Sequence, residues 1–188
     1  MGKVLYGIKN VYVAKLTEAS DGTISYGTPF AVAGAVGFSP EPQGESSIFY
    51  ADDKIYYRKD LNNGYEGDLE LAVAPQEFLT QILGRTTDGN GAIFESNTDT
   101  MSRFALLFEA EGDPANRRFC YYDCTTSRPT REHNTTEDTI EVGTETLTIT
   151  IAPRSSDGLV GCYMEKTADN TSAYNSFFSA VYEKTASV

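Results

Sequence analysis

Apolar and polar residues alternate with period two along most of this chain, the pattern of strands with one buried face. From Val4 to Leu16 the sequence is rich in Val, Ile, Leu and Tyr and predicts one or two strands. Asp21-Gly22 supplies a hairpin turn, and Ile24 and Tyr26 lead back towards Phe30 and Val32. Ala35 to Phe38 predicts a short strand, which Ser39-Pro40-Glu41-Pro42-Gln43-Gly44 is expected to break. Ser46 to Lys59 then reads as a long hairpin, with Ile48 and Tyr50 before an acidic tip at Asp52-Asp53 and Ile55, Tyr56 and Tyr57 after it. After Asn62-Asn63-Gly64 the alternation is clean. Tyr65, Gly67, Leu69, Leu71 and Val73 share one face, and Glu66, Asp68 and Glu70 form an acidic comb on the other.

Helical spacing shows up twice. Pro75 suits the first position of a short helix carrying Phe78, Leu79, Ile82 and Leu83, and Gly84 stops it. Near the C-terminus Ser172 reads as an N-cap, with Tyr174, Phe177, Phe178, Val181 and Tyr182 as the apolar stripe of an amphipathic helix. Between them, strands are predicted over Arg103–Glu111, Arg117–Thr126, Thr144–Ala152 and Leu159–Glu165. Asp88-Gly89-Asn90-Gly91 and Asp157-Gly158 read as turns, and the polar stretch from Arg128 to Asp138 as a loop. Thr144–Ala152 is the plainest strand, with Leu147, Ile149 and Ile151 facing opposite to Thr146, Thr148 and Thr150. The fold class is mainly β: a β-sandwich or barrel with one short flanking helix and a C-terminal helix. Its 188 residues read as a single domain over 1–188. A hairpin projects around 46–59 and a helical arm lies around 172–184.

Composition and charge narrow the functions. The formal net charge is -12, and the acidic excess runs through both halves of the chain. Such a surface repels phosphate and argues against gripping nucleic acid or an anionic membrane, though not against DNA sliding past. Met1-Gly2-Lys3 leads straight into strand-like sequence, and no stretch approaches the roughly 18 apolar residues of a membrane span. The expectation is a chain made and kept in cytoplasm. Three cysteines make no disulfide framework. Cys120 and Cys124 share a strand about 13 Å apart, Cys162 is placed near one or the other, and free buried thiols are the reading.

Catalytic chemistry is hard to find. His133 stands alone in a polar loop without a positioned nucleophile, and Cys120-x3-Cys124 lacks the further ligands of a zinc site. Asp88-Gly89-Asn90-Gly91 fails the calcium-loop pattern because Ala92 and Ile93 stand where an oxygen ligand and the glycine belong. No phosphate-binding glycine motif occurs. Asn134-Thr135-Thr136 and Asn170-Thr171-Ser172 match the glycosylation sequon, which carries no meaning without a secretory signal. Neither a cofactor nor a metal is expected, and the reading is not an enzyme. The hairpin is different. Phe49, Tyr50, Tyr56 and Tyr57, with Asp52, Asp53 and Lys54 at the tip, expose more apolar surface than a monomer tolerates and are the candidate subunit interface. The plainer alternative folds those rings back on their own sheet.

Several stretches together resemble the major tail (tail tube) proteins of siphophages, of the phi-thirteen type. They are Tyr6-Gly7-Ile8-Lys9-Asn10-Val11, Gly44-Glu45-Ser46 into Phe49-Tyr50-Ala51-Asp52-Asp53, and Asn63-Gly64-Tyr65-Glu66-Gly67-Asp68-Leu69-Glu70. Phe78 to Gly84, Phe104-Ala105-Leu106-Leu107-Phe108-Glu109, Tyr122-Asp123-Cys124-Thr125, Arg128-Pro129 and Glu145-Thr146-Leu147-Thr148-Ile149 continue the series in the same order, followed by the aromatic C-terminal segment. The resemblance implies six copies closing into a ring whose sheets join into one barrel around a lumen. It implies that rings stack head to tail around a tape-measure protein, bounded by tail terminator and distal tail proteins, in a virion tail assembled in the host cytoplasm. DNA would pass through the lumen without specific binding, with Glu66, Asp68 and Glu70 as lumen-facing candidates. Two other readings stand beside it: a β-rich receptor- or glycan-binding module of a phage or cell surface, and a carboxylate-dependent hydrolase.

Overall fold

The computed structural model describes residues 7–131 and 143–185. His133, the Asn134 sequon and residues 132–138 of the polar loop lie outside the described residues, as does the start of the first predicted strand. In chain order the elements are β1 (Ile8–Glu18), β2 (Ile24–Tyr26), β3 (Phe30–Ala31), β4 (Ala35–Pro42), β5 (Ser46–Ala51), β6 (Lys54–Asp60) and β7 (Tyr65–Leu71). Then come α1 (Gln76–Gln81), β8 (Thr86–Thr87), β9 (Ile93–Phe94), β10 (Phe104–Ala110), β11 (Arg118–Thr126), β12 (Thr130–Arg131), β13 (Glu145–Ala152), β14 (Gly161–Met164) and α2 (Thr171–Asn175). The class is mainly β, as the alternation predicts.

One antiparallel sheet runs β2-β1-β10-β11-β13-β7-β4. It curls until β1, beside the short edge strand β2, comes alongside β4 at the other margin. The inward face holds Val11, Val13, Leu69, Leu71, Phe104, Leu106, Leu147, Ile149 and Ile151, all buried. α1 closes this interior with Phe78, Leu79, Ile82 and Leu83, and Phe78 meets Phe104 edge-on at 6.0 Å. Gly84 ends the helix at φ +75, where a Cβ would stand 2.5 Å from the Thr100 carbonyl oxygen.

A second, smaller core covers the outer face of β1, β10 and β11. Ala14, Ala105, Leu107, Cys120 and Tyr122 are buried there beneath Phe177, with Phe178, Val181 and Tyr182 packed around them. β10 is therefore buried on both faces over Phe104–Leu107.

Three expectations are corrected. First, β4 does not stop at Phe38 but continues through both prolines to Pro42, paired with β7. Gln43 donates its N–H to the Gly64 carbonyl, so in this stretch odd-numbered positions turn their N–H groups towards the β7 side. Pro40 and Pro42 turn their missing donors to the open edge, where a ladder loses nothing. Second, the C-terminal helix is one short turn, Thr171–Asn175, and not an arm over 172–184. Phe177 and Phe178 both pack on the sheet, Phe178 stacking on Tyr12 at 5.1 Å. The Tyr174 carbonyl accepts from the Arg118 guanidinium and, three residues on, from the Phe177 N–H, so the chain turns tightly there and does not continue the helix. Third, Val73 lies beyond the end of β7 and is 66% exposed rather than in the core.

The cysteines are free, and Cys120 and Cys124 are buried but on opposite faces. A bulge where β11 pairs β10, between Phe104 and Leu106, shifts the register and turns Cys124 into the main core. The Asp88 run is the turn between β8 and β9, with the Asp88 carboxylate accepting from the Asn90 and Ala92 N–H groups at 2.9 Å.

Asp113 organises the turn from β10 to β11. It accepts from the Arg117 guanidinium at 2.6 Å and from the backbone of Ala115 and Arg117. Arg117 foremost, then those N–H groups, hold its carboxyl down at about 2. A carboxylate depressed in the folded state contributes its full stabilisation above the ordinary value of 3.8 and loses it as pH falls from there through about 2. A carbon-detected NMR titration should find Asp113 still ionised below the ordinary aspartate value of 3.8, and Arg117→Ala should return it towards that value; an unmoved Asp113 would refute the assignment.

Candidate assembly surfaces

β5 and β6 pair only with each other among the described strands. Asp52 and Asp53 both have positive φ, 51° and 58°, so the two-residue tip is a primed turn whose twist matches the flanking strands. The stalk is built by backbone bonds from Leu61 N–H to the Glu45 carbonyl and from Asn63 N–H to the Gln43 carbonyl, both 2.9 Å. Gly44 permits that approach, since a Cβ there would stand 2.2 Å from the Leu61 carbonyl oxygen. Near the stalk Asp60 bonds Ser46 and Arg58.

Beyond the stalk the hairpin buries almost nothing. Ile48, Phe49, Tyr50, Ile55, Tyr56 and Tyr57 are all exposed, Tyr56 to 78%. Phe49 lies opposite Tyr57 and meets Tyr56 edge-on at 6.4 Å. The rings do not fold back on the main sheet. Asp52, Asp53 and Lys54 stand at the tip in open solvent. A two-stranded ribbon of this kind is marginal in water on its own. From Ser46 to Asp60 it carries three acids and three bases, a neutral arm on a chain of net charge -12.

The outward face of β4, β7 and β13 is the second surface. Glu66 and Asp68 are exposed and Glu70 half-buried, all opposite in direction to Leu69 and Leu71. The Thr148 hydroxyl donates to Asp68 at 2.9 Å and the Thr144 hydroxyl to Glu70 at 2.7 Å. Glu41 lies directly across from Glu66 and extends the comb onto β4. Sequence reasoning missed Glu41 because the flanking prolines read as a break; their i, i+2 spacing is the signal that both sit on one edge. These three strands contain five carboxylates and no lysine or arginine. Unlike the outer face of β1 and β10, this one carries no large apolar side chain apart from Val36 at its end.

A third feature has no counterpart in the sequence reading. Phe38, Phe108 and Tyr121 meet across the end of the curled sheet, with Phe38 to Phe108 at 5.6 Å and Phe38 to Tyr121 at 6.3 Å. Tyr65 joins at 5.5 Å from Tyr121, and Phe119 stacks on Phe108 at 5.1 Å. These rings are half-buried and lie where β7 begins, beside the root of the hairpin. They come from four strands, so no local pattern announces them.

Nothing in these surfaces resembles a reaction centre. Among the described residues no three His, Cys, Asp or Glu side chains gather as a metal site. No described helix is long and apolar enough to cross a membrane. A depression of about 240 Å³ between Arg85, Glu95, Asp99, Met101 and Arg128 has both guanidinium groups paired with Glu95.

Residues 2–160 match the family model described as phage tail tube protein (L_lac_phage_MSP). No curated protein sequence matches the chain. Among solved structures, the cap that terminates the tube of the anti-feeding prophage shares 10% identity and covers 88% of this chain and 96% of its own, with a TM-score of 0.47, a likeness too distant to bear on function.

Proposed function

Because the chain belongs to the phage tail tube protein family, and is therefore a structural component of a virion tail, we propose that it is the subunit of a hexameric ring stacking into the tube of a long, non-contractile siphophage tail. The observation that carries the reading is the β5–β6 arm, neutral and aromatic, which its own body leaves uncovered. Phe49, Tyr50, Tyr56 and Tyr57 are the contact to the next copy, with Asp52, Asp53 and Lys54 at the reaching tip. A contact of this kind is heterologous and propagates until capped. In the assembled tail a tape-measure protein sets the length, and terminator and distal tail proteins close the two ends. Assembly takes place in the host cytoplasm. No catalytic step belongs to this role.

The bare face of β4, β7 and β13 lines the lumen in this reading, with Glu66, Asp68, Glu70 and Glu41 as its carboxylates. A surface with acids and no bases repels DNA phosphates, so the genome slides without binding.

Electron microscopy of the concentrated protein should show rings or tubes of sixfold symmetry. A strict monomer that retains glycans on a column would favour the binding module instead. Replacing Glu66, Asp68 and Glu70 together by lysine should leave tubes able to form and make them retain DNA at low salt, with release as salt rises. Loss of assembly in that variant, with the subunit still folded, would make the comb an interface rather than a lumen wall.

A further inference from the structure

Cys120 and Cys162 stand directly opposite each other where β11 pairs β14. Both side chains point to the outer face beneath the C-terminal segment. Opposed residues of an antiparallel pair have Cα atoms about 4.5–5.5 Å apart, within the span of a disulfide. The two thiols are not equivalent. Cys120 is 1% exposed, whereas Cys162 is half-buried. The Cys120 thiol faces the Cys162 sulfur across the strand pair, and the Tyr122 hydroxyl lies 3.2 Å from that sulfur.

The neighbouring Cys120 thiol first, and then Tyr122, bring the Cys162 thiol down to about 7, while the nearness of Cys162 and burial push Cys120 well up. Burial keeps Tyr122 a protonated donor. The remaining charged group facing the pair is Glu183 on the C-terminal segment, which opposes the thiolate. Arg154 pairs with Glu183 at 2.7 and 2.9 Å and lies over the Tyr122 ring. A half-buried sulfur that carries the charge sits against a fully buried one that keeps its proton, the division of labour between attacking and resolving thiols.

We propose that Cys120 and Cys162 form a redox-active pair that closes into a cross-strand disulfide by exchange with a low-molecular-weight disulfide such as oxidised glutathione. The Cys162 thiolate attacks one sulfur of the reagent, forms a mixed disulfide and expels one glutathione thiolate. Cys120 then gives up its proton and attacks the Cys162 sulfur, expelling the second glutathione. Two protein thiols are oxidised to one disulfide and one oxidised glutathione is reduced to two thiols. The bond ties β14 to β11 under Tyr182, whose carbonyl, 2.8 Å from the Tyr122 oxygen, shares that hydroxyl's single proton with the Cys162 sulfur. Cys124 takes no part, because it is buried in the other core. This inference does not depend on the tube reading.

The test treats the full chain with oxidised glutathione, quenches in acid, and reads intact mass with a non-reducing peptide map. The expected product is lighter by two hydrogens, with the Cys120 and Cys162 peptides joined. Cys162→Ser should be inert, and Cys120→Ser should accumulate a stable glutathione adduct on Cys162. A lasting adduct on the wild-type chain, a link to Cys124, or no product at all would overturn the proposal. Because Cys120→Ser changes a buried site, the wild-type map is decisive by itself. The pH profile of iodoacetamide labelling at Cys162 supplies a readout that packing alone would not move. It should bend near 7 and move upward in Tyr122→Phe, whereas a wild-type bend in the ordinary thiol range of about 8.5 would remove Cys162 as the attacking group.

Discussion

Replacing Phe49 and Tyr57 together by serine is expected to abolish tube formation while leaving thermal unfolding of the isolated subunit unchanged. The two rings lie opposite each other on the β5–β6 arm and are 60% and 53% exposed, so their removal costs the subunit's own core little. In a stacked assembly the same rings would be covered. Burying an aromatic or large aliphatic side chain is worth about 1.5–3 kcal/mol. With about half of each ring still to be covered, the two together contribute about 1.5–3 kcal/mol at one contact, roughly a tenfold to hundredfold rise in the concentration needed to assemble. Sedimentation and electron microscopy read the assembly, and a melting curve reads the subunit. Tubes at the wild-type concentration would remove the arm from the interface. A drop in melting temperature would show instead that the rings serve the subunit's own fold.

Gly64→Ala should have the largest effect on the subunit itself. Gly64 sits where the hairpin stalk rejoins the main sheet, at φ +95, and a Cβ there would lie 1.8 Å from the Ile151 carbonyl oxygen. Neither the strand nor the stalk yields without breaking the pairing of Tyr65 with Ile151 or the bond from Gln43 to Gly64. Gly22 provides the control, with φ +82 and nothing within 4 Å of its added Cβ. Gly22→Ala then measures the left-handed backbone penalty alone, about 1–2 kcal/mol. Gly64→Ala adds overpacking against rigid backbone and should cost at least about 3 kcal/mol in urea denaturation. Equal losses at the two positions would mean that the sheet gives way at Gly64.

Both predictions depend on long-range geometry around residues that were legible only as local signals. Asn62-Asn63-Gly64 reads as a turn in the sequence, but the reason it must be glycine is Ile151, far along the chain. The hairpin reads correctly from its two aromatic runs and acidic tip, because turn and strand propensities act within a few residues. That it stands clear of the body is a matter of what is left over once the sheet has closed.

Local alternation is enough to define the strands whose burial repeats every second residue. Leu147, Ile149 and Ile151 lie inward and their threonine neighbours outward, and the comb of Glu66, Asp68 and Glu70 lies opposite Leu69 and Leu71. Side-chain alternation is a property of one strand, so no partner is needed to read it. The tertiary structure alone decided what depends on a neighbour. Pro40 and Pro42 lie within a strand because β4 has an open edge for them, and Glu41 joins the comb for that reason. The bulge in β11 separates Cys124 from Cys120 and leaves Cys120 facing Cys162. After the short helix the chain becomes an irregular segment in which Phe178 stacks on Tyr12 and the Tyr174 carbonyl accepts from Arg118, contacts that no local period announces. Period reports which way a side chain points, and packing decides what it meets.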